Sequence, residues 1–176
     1  MPSFASSALR LLRQILANPP QAQGPYAGTV TTLDGNTAVA VTEAGIGEAA
    51  GLGGSYPADT ADLAWRARQQ HLSENLIGDR ATGRTADGPR GALATAVGLS
   101  LSGIRATVFL SANDLAGAQD LLTSAAGRHL PLVAHLSNRA LAGHAIALGS
   151  GHEALHISAD SGCFMLFAAN VQEAVD

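Results

Sequence analysis

From Thr29 onward the apolar positions fall into runs that alternate between helix length and strand length, punctuated by Gly, Pro, Asp and Asn. That alternation predicts strands joined by crossover helices, an α/β domain with a mostly parallel sheet flanked by helices. Asp34-Gly35-Asn36-Thr37 precedes a helix from about Ala38 to Ala50, weakened by Gly45 and Gly47. A short strand is expected near Ser55 to Pro57. Asp59 or Thr60 then caps a helix carrying Leu63, Trp65 and Ala67, with Arg66 and Arg68 outward. The polar run Gly78 to Gly88 reads as a loop.

Asp87-Gly88-Pro89 opens the next helix, with proline where a first-turn residue lacks an amide partner anyway and Ala92, Leu93, Ala96, Val97 and Leu101 on the apolar side. Arg105 to Leu110 and Leu132 to Leu136 read as buried strands. Between them Asn113 caps a helix that turns Leu115, Ala118, Leu121, Leu122 and Ala125 inward and stops at Gly127. Leu155 to Ser158 and Cys163 to Phe167 are further strand candidates. Asn170-Val171-Gln172-Glu173 has the spacing of a capping box, and the helix it announces is cut off at Asp176, so the natural chain is expected to continue.

Ahead of this domain, Ser7 to Ala17 carries Leu9, Leu12, Ile15 and Leu16 on one helical face, interrupted by Arg10 and Arg13. It reads as a docking helix, followed by the stiff connector Pro19 to Pro25. The expected division is residues 1–28 for helix and connector and 29–176 for the domain.

Composition narrows the chemistry. With 176 residues and 47% apolar side chains, one domain can bury a core without disulfides or a structural metal. A net charge of −4 with no basic stripe argues against nucleic acid as a partner. All ten basic residues are arginine, which excludes a phosphate-loop lysine, a pyridoxal Schiff base and a lysine nucleophile. Cys163 stands alone, so this chain holds neither a disulfide nor the four thiolates of an iron–sulfur cluster. No run of about 18 uncharged apolar residues exists, so no membrane association and a cytoplasmic location are expected.

Several motifs have two readings. Gly45 to Gly51 could cradle a phosphate at the start of a helix, as in a dinucleotide-binding domain, or could reflect close helix packing. His144, His152 and His156 match no metal-ligand spacing, and ordinary loop hydrogen bonds account for them as well. Ser150 and Ser161 each neighbour a glycine, outside any strand-turn-helix serine motif. Arg139 follows a strand at the carboxyl end of an α/β sheet, where its planar fork suits a carboxylate; a surface salt bridge is the alternative.

Asp34-Gly35-Asn36-Thr37-Ala38, Tyr56-Pro57 and the continuous stretch from Gly103 to Asp176, through Thr107-Val108-Phe109, Leu130-Pro131, Arg139 to Ala145, Gly151-His152 and Val171-Gln172-Glu173, resemble the N-terminal, pyrimidine-binding domain of the pyruvate:ferredoxin or flavodoxin oxidoreductases. The resemblance covers most of residues 29–176. It implies a domain of a thiamine diphosphate-dependent 2-oxoacid oxidoreductase that forms acyl-CoA by oxidative decarboxylation. It also implies that the diphosphate and its magnesium are held by another domain or subunit, and that iron–sulfur clusters lie elsewhere in the enzyme. The implied partners are those other domains or subunits, in a homo- or hetero-oligomer, and ferredoxin or flavodoxin reached through them.

Carried over by position, Arg139 falls on the arginine that holds the 2-oxoacid carboxylate. The substrate-contacting threonine falls on Asp59, with Thr60 one step away, and Tyr56, Pro57, Asp87 and Pro89 fall on the cofactor side. The family's catalytic glutamate, which hydrogen-bonds the pyrimidine ring, falls on Pro89. Asp87, two residues earlier, would need a register slip to replace it. Losing proton-transfer assistance of this kind costs about 10² to 10⁴ in rate. The isolated chain is therefore expected to be inactive, and a catalytically degenerate structural module of such an assembly is the alternative function.

Overall fold

The computed structural model describes residues 31–71, 74–137, 141–142, 145–146 and 152–176. The expected helix and connector within residues 1–28 lie outside the described residues. Helix α1 (Gly35–Ile46) is started by Asp34, whose Oδ1 and Oδ2 accept from the Thr37 amide at 3.1 Å and the Thr37 hydroxyl at 2.5 Å. Strand β1 (Ala49–Leu52) follows, then α2 (Asp59–His71), β2 (Thr82–Thr85) and α3 (Gly88–Leu101). Next come β3 (Ala106–Ser111), a 3₁₀ turn (Ala112–Asp114), α4 (Gln119–Gly127) and β4 (Leu132–Ser137). Two short strands, β5 (Leu141–Ala142) and β6 (Ala145–Ile146), pair antiparallel, and α5 (His152–Ser161) and α6 (Val171–Val175) complete the order.

The main sheet has the order β2-β1-β3-β4, all parallel, with Ala49 beside Thr82 and Ala106, and Phe109 beside His135. This is the flanked parallel sheet that the alternating pattern predicts. All six residues of β3 are buried, and their alternation divides the core in two. Val108 and Leu110 face a cluster with Leu93, Ala96 and Val97 of α3 and Leu122 and Ala125 of α4. Phe109 faces the other way, against Trp65 of α2 at 6.1 Å between ring centroids, with Ala40 and Ala44 of α1.

Several expected elements differ, for identifiable reasons. The helix expected to reach Ala50 ends at Ile46, and Ala49 to Leu52 is a fully buried strand. Small residues there serve packing: a Cβ on Gly51 would run into the Ala92 backbone of α3. The strand expected at Ser55 to Pro57 is a turn, closed by the Ala58 amide on the Ser55 carbonyl at 2.8 Å. In α2 the inward face is Ala61, Asp62 and Trp65, while Leu63 is exposed; spacing by two suits a strand, and a helix buries i, i+3 and i+4. The expected loop 78–88 contains β2, an edge strand whose polar residues lie mostly in the open.

Asn113 does not cap a helix. Ser111 caps the 3₁₀ turn in a capping box with Asp114, and α4 begins only at Gln119. Leu155 to Ser158 is helical within α5, because Ala154, Ile157 and Ser161 recur at helical spacing on the core side, and the Ser161 hydroxyl bonds back to the Ile157 carbonyl. Cys163 to Phe167 is irregular, with no strand partner among the described residues. The expected start of α3 is observed, with Asp87 at the N-cap and Pro89 in the first turn. The Asn170–Glu173 box is observed too: the Asn170 side chain accepts from the Glu173 amide at 3.0 Å.

Candidate functional site

Strand order reverses between β1 and β3, so the carboxyl ends of these strands open a crevice of the kind in which parallel sheets bind ligands. Three polar constellations stand at this end. In the first, Asn36 near the start of α1 donates from Nδ2 to the Pro57 carbonyl at 2.9 Å and to Thr60 Oγ1 at 2.8 Å. Its Oδ1 accepts from the Ser137 hydroxyl, at the end of β4, at 2.6 Å. Thr60 in turn donates to the Pro57 carbonyl at 2.8 Å. One amide side chain therefore ties α1, the start of α2 and the last residue of β4 together.

In the second constellation the Ser55 hydroxyl, past β1, lies 2.7 and 2.8 Å from the two Asp114 oxygens and 3.3 Å from the Ser111 hydroxyl at the end of β3. In the third, Asp62 Oδ2 accepts from the Gly53 and Gly54 amides at 2.6 and 3.0 Å. Gly53 has φ of 150°, and a Cβ there would stand 2.8 Å from the Ala86 carbonyl and 3.1 Å from that of Gly88, so only glycine lets the β1 and β2 ends approach. Burial pushes the Asp62 carboxyl up to about 6 against the pull of the two amides, and its Oδ1 is buried without a partner.

Of the residues singled out by sequence, Pro57 and Thr60 are brought together with Asn36. Asp59 begins α2 rather than preceding it, and its Oδ1 is also buried without a partner. Tyr56 is exposed in the turn. Asp87 and Pro89 start α3 beyond β2, and the Asp87 side chain makes no capping bond. Among the described residues no hydrogen bond joins this pair to the Thr60 group. Arg139, His144 and Ser150 lie outside the described residues, as does the side chain of His152; His156 is exposed on α5.

The glycine run Gly45 to Gly51 closes α1 and enters β1, so it presents no helix N-terminus to a phosphate, and the dinucleotide-binding alternative loses its motif. Close packing is what Gly51 serves.

Sequence reasoning missed Asp62, whose signal was a charge on the inner face of a helix at i−3 from the buried Trp65. It also missed a polar cluster at the opposite, amino end of the sheet. There Glu43 takes Arg105 Nη1 and Nη2 at 2.7 and 3.1 Å and His135 Nε2 at 3.0 Å. Burial would raise this carboxyl, but the hydrogen bonds from His135 and Arg105 prevail and hold it down at about 2. The signal was a lone carboxylate, 5% exposed, among alanines on α1.

Residues 69–176 match the family described as pyruvate flavodoxin/ferredoxin oxidoreductase, thiamine diphosphate-binding. The chain is 32% identical over 145 residues to a probable pyruvate-flavodoxin oxidoreductase of Escherichia coli, a match covering 82% of this chain and 12% of the relative. It is 31% identical over 152 residues to the pyruvate:ferredoxin oxidoreductase of Moorella thermoacetica, with the same 82% and 12%. Against the pyruvate synthase subunit PorA of Thermotoga maritima it is 39% identical over 85 residues, 48% of this chain and 21% of the relative. The chain thus spans about an eighth of the length of the first two. With a doubly wound parallel sheet and a family match over more than half its residues, this chain belongs to the pyruvate flavodoxin/ferredoxin oxidoreductase family, in its thiamine diphosphate-binding domain.

Proposed function

We propose that the chain forms the pyrimidine side of a thiamine diphosphate site in a larger 2-oxoacid:ferredoxin or flavodoxin oxidoreductase, with Arg139 gripping the carboxylate of a pyruvate-like substrate. The observation that carries this reading is the Asn36 bridge, which ties the Thr60 hydroxyl to Ser137, two residues before Arg139 in the chain. An arginine that follows the end of β4 in sequence suits a 2-oxoacid, which offers a carboxylate for a charge-assisted fork. The diphosphate with its magnesium, and the iron–sulfur clusters that pass electrons on, belong in this reading to other domains or subunits of an oligomer.

At one point the residues do not fit the cofactor. The pyrimidine ring requires a carboxyl beside it, and Pro89 has neither a side-chain hydrogen-bonding group nor an amide proton. Asp87 is exposed, and Asp62 is committed to Gly53 and Gly54. No proton transfer is therefore assigned to this chain. The same observation favours a second reading, in which the domain has lost catalysis and persists as a structural module of the assembly.

The assembly isolated through the full chain should reduce a viologen dye in a pyruvate- and coenzyme A-dependent reaction. Losing charged hydrogen bonds of about 1.5 to 3 kcal/mol, Arg139→Met should raise the KM for pyruvate roughly 10- to 100-fold. An unchanged KM removes the arginine assignment, and an assembly without any 2-oxoacid-dependent reduction leaves the second reading standing.

A further inference from the structure

After α5 the chain runs through Cys163-Phe164-Met165-Leu166-Phe167 in an irregular path. Its side chains alternate. Cys163 and Met165 pack against the larger core cluster, whereas Phe164 and Leu166 point away and are 88% and 81% exposed, with Phe167 at 62%. An apolar residue at every position is the signature of a segment covered on both faces, as in the strands of a parallel sheet between helical layers. Here one face is covered, and the other carries two phenylalanines and a leucine into water. Scattered apolar side chains are ordinary on a surface, but three large ones within four residues mark an interaction site.

We propose that Phe164, Leu166 and Phe167 are the docking surface for an apolar face contributed by the portion of the family's polypeptide that this chain does not match. This rests on the function proposed above. The occupant follows from length: the matched region is 12% of the Escherichia coli and Moorella thermoacetica relatives, so most of such an enzyme is available to supply the second layer. Phe164, Leu166 and Phe167 offer no polar side-chain group to pair, which sets the chemistry of the partner surface as apolar.

The test is oxidative footprinting of the full chain, free and in the complex isolated with it, the bound polypeptide being identified by mass spectrometry. Oxidation of Phe164, Leu166 and Phe167 should fall at least several-fold in the complex, and the bound polypeptide should carry the family's remaining domains. Phe164→Ser with Leu166→Ser should weaken the complex about 30-fold or more, as truncation of buried aromatic anchors does. It should leave the circular dichroism of the free chain intact, because both side chains are exposed. Leu76→Ser with Ile77→Ser, exposed residues of a separate turn, should leave the complex unaffected.

Unchanged oxidation on binding overturns the proposal, as does a complex indifferent to the double substitution. So does protection of the same residues by a second copy, a bound polypeptide of another family, or the absence of any complex. A complex that protects this surface yet shows no 2-oxoacid-dependent reduction contradicts the proposed function alone, and an active complex with the surface still exposed contradicts the docking surface alone.

Discussion

Two buried carboxyls bend the stability of this domain in opposite senses as pH changes. Glu43, held at about 2 in the fold, favours folding wherever its unfolded counterpart is ionised. That contribution is present above about pH 4.5 and disappears as pH falls toward 2. Asp62 is raised to about 6, so ionising it works against the fold; the cost grows as pH rises from about 4 through 6 and is fully present above. Asp62→Asn removes this dependence. Urea titrations of both proteins should show the variant gaining on the parent between pH 4 and 6, by on the order of 3 kcal/mol at 1.36 kcal/mol per pKa unit, and a flat difference above. Glu43→Gln should cost about 3 to 5 kcal/mol at pH 7, because it leaves the half-buried Arg105 charge without its partner. Equal stability of that variant and the parent at pH 7 would show that the ion pair is incidental. Neither role was legible in sequence: Glu43 meets its partners across 62 and 92 positions, distances that local spacing does not encode.

At the scale of elements, the sequence was most legible where large apolar residues run together, whether the strand is fully buried, as β3 is, or half-buried, as β4 is. The strands at Arg105–Leu110 and Leu132–Leu136 were placed within a residue of β3 and β4, and the proline-led start of α3 was placed too. What misled was composition. The Ala49-Ala50-Gly51-Leu52 strand looks like a helix tail because its residues are small, yet they are small to let α3 lie flat on β1. Gly51→Ala should therefore destabilise by about 1 to 3 kcal/mol through overpacking. Calorimetry should record a Tm lower by roughly 2 to 12 °C; an unchanged Tm would mean that α3 is free to move off the sheet. The α5 segment misled through period, since four residues are too few to separate alternation from helical recurrence. The site itself was half legible: motif matching named Thr60 and Pro57, but the Asn36 bridge to Ser137 required the sheet to be assembled first. Asn36→Leu should cost about 1 to 3 kcal/mol in urea titrations, because the Ser137 and Thr60 hydroxyls lose a common partner.

On the scale of the whole molecule, the described sheet has two edges of different character. β2 is short and polar, with Arg84 and Thr85 in the open, and so discourages further pairing. The other edge is β4, half-buried along its length, and elsewhere among the described residues Phe164, Leu166 and Phe167 stand exposed. Among the described residues no helix is long and apolar enough to cross a membrane. The chain covers an eighth of its full-length relatives and carries a crevice whose carboxyl-end groups come from α1, α2, β3 and β4. This crevice is proposed as one side of a thiamine site that other polypeptide completes. Calorimetric titration with thiamine diphosphate, with and without magnesium, tests it most directly. One magnesium-dependent site per copy of the chain is expected in the assembly and none in the isolated chain, whereas an assembly that takes up no thiamine diphosphate would contradict the claim.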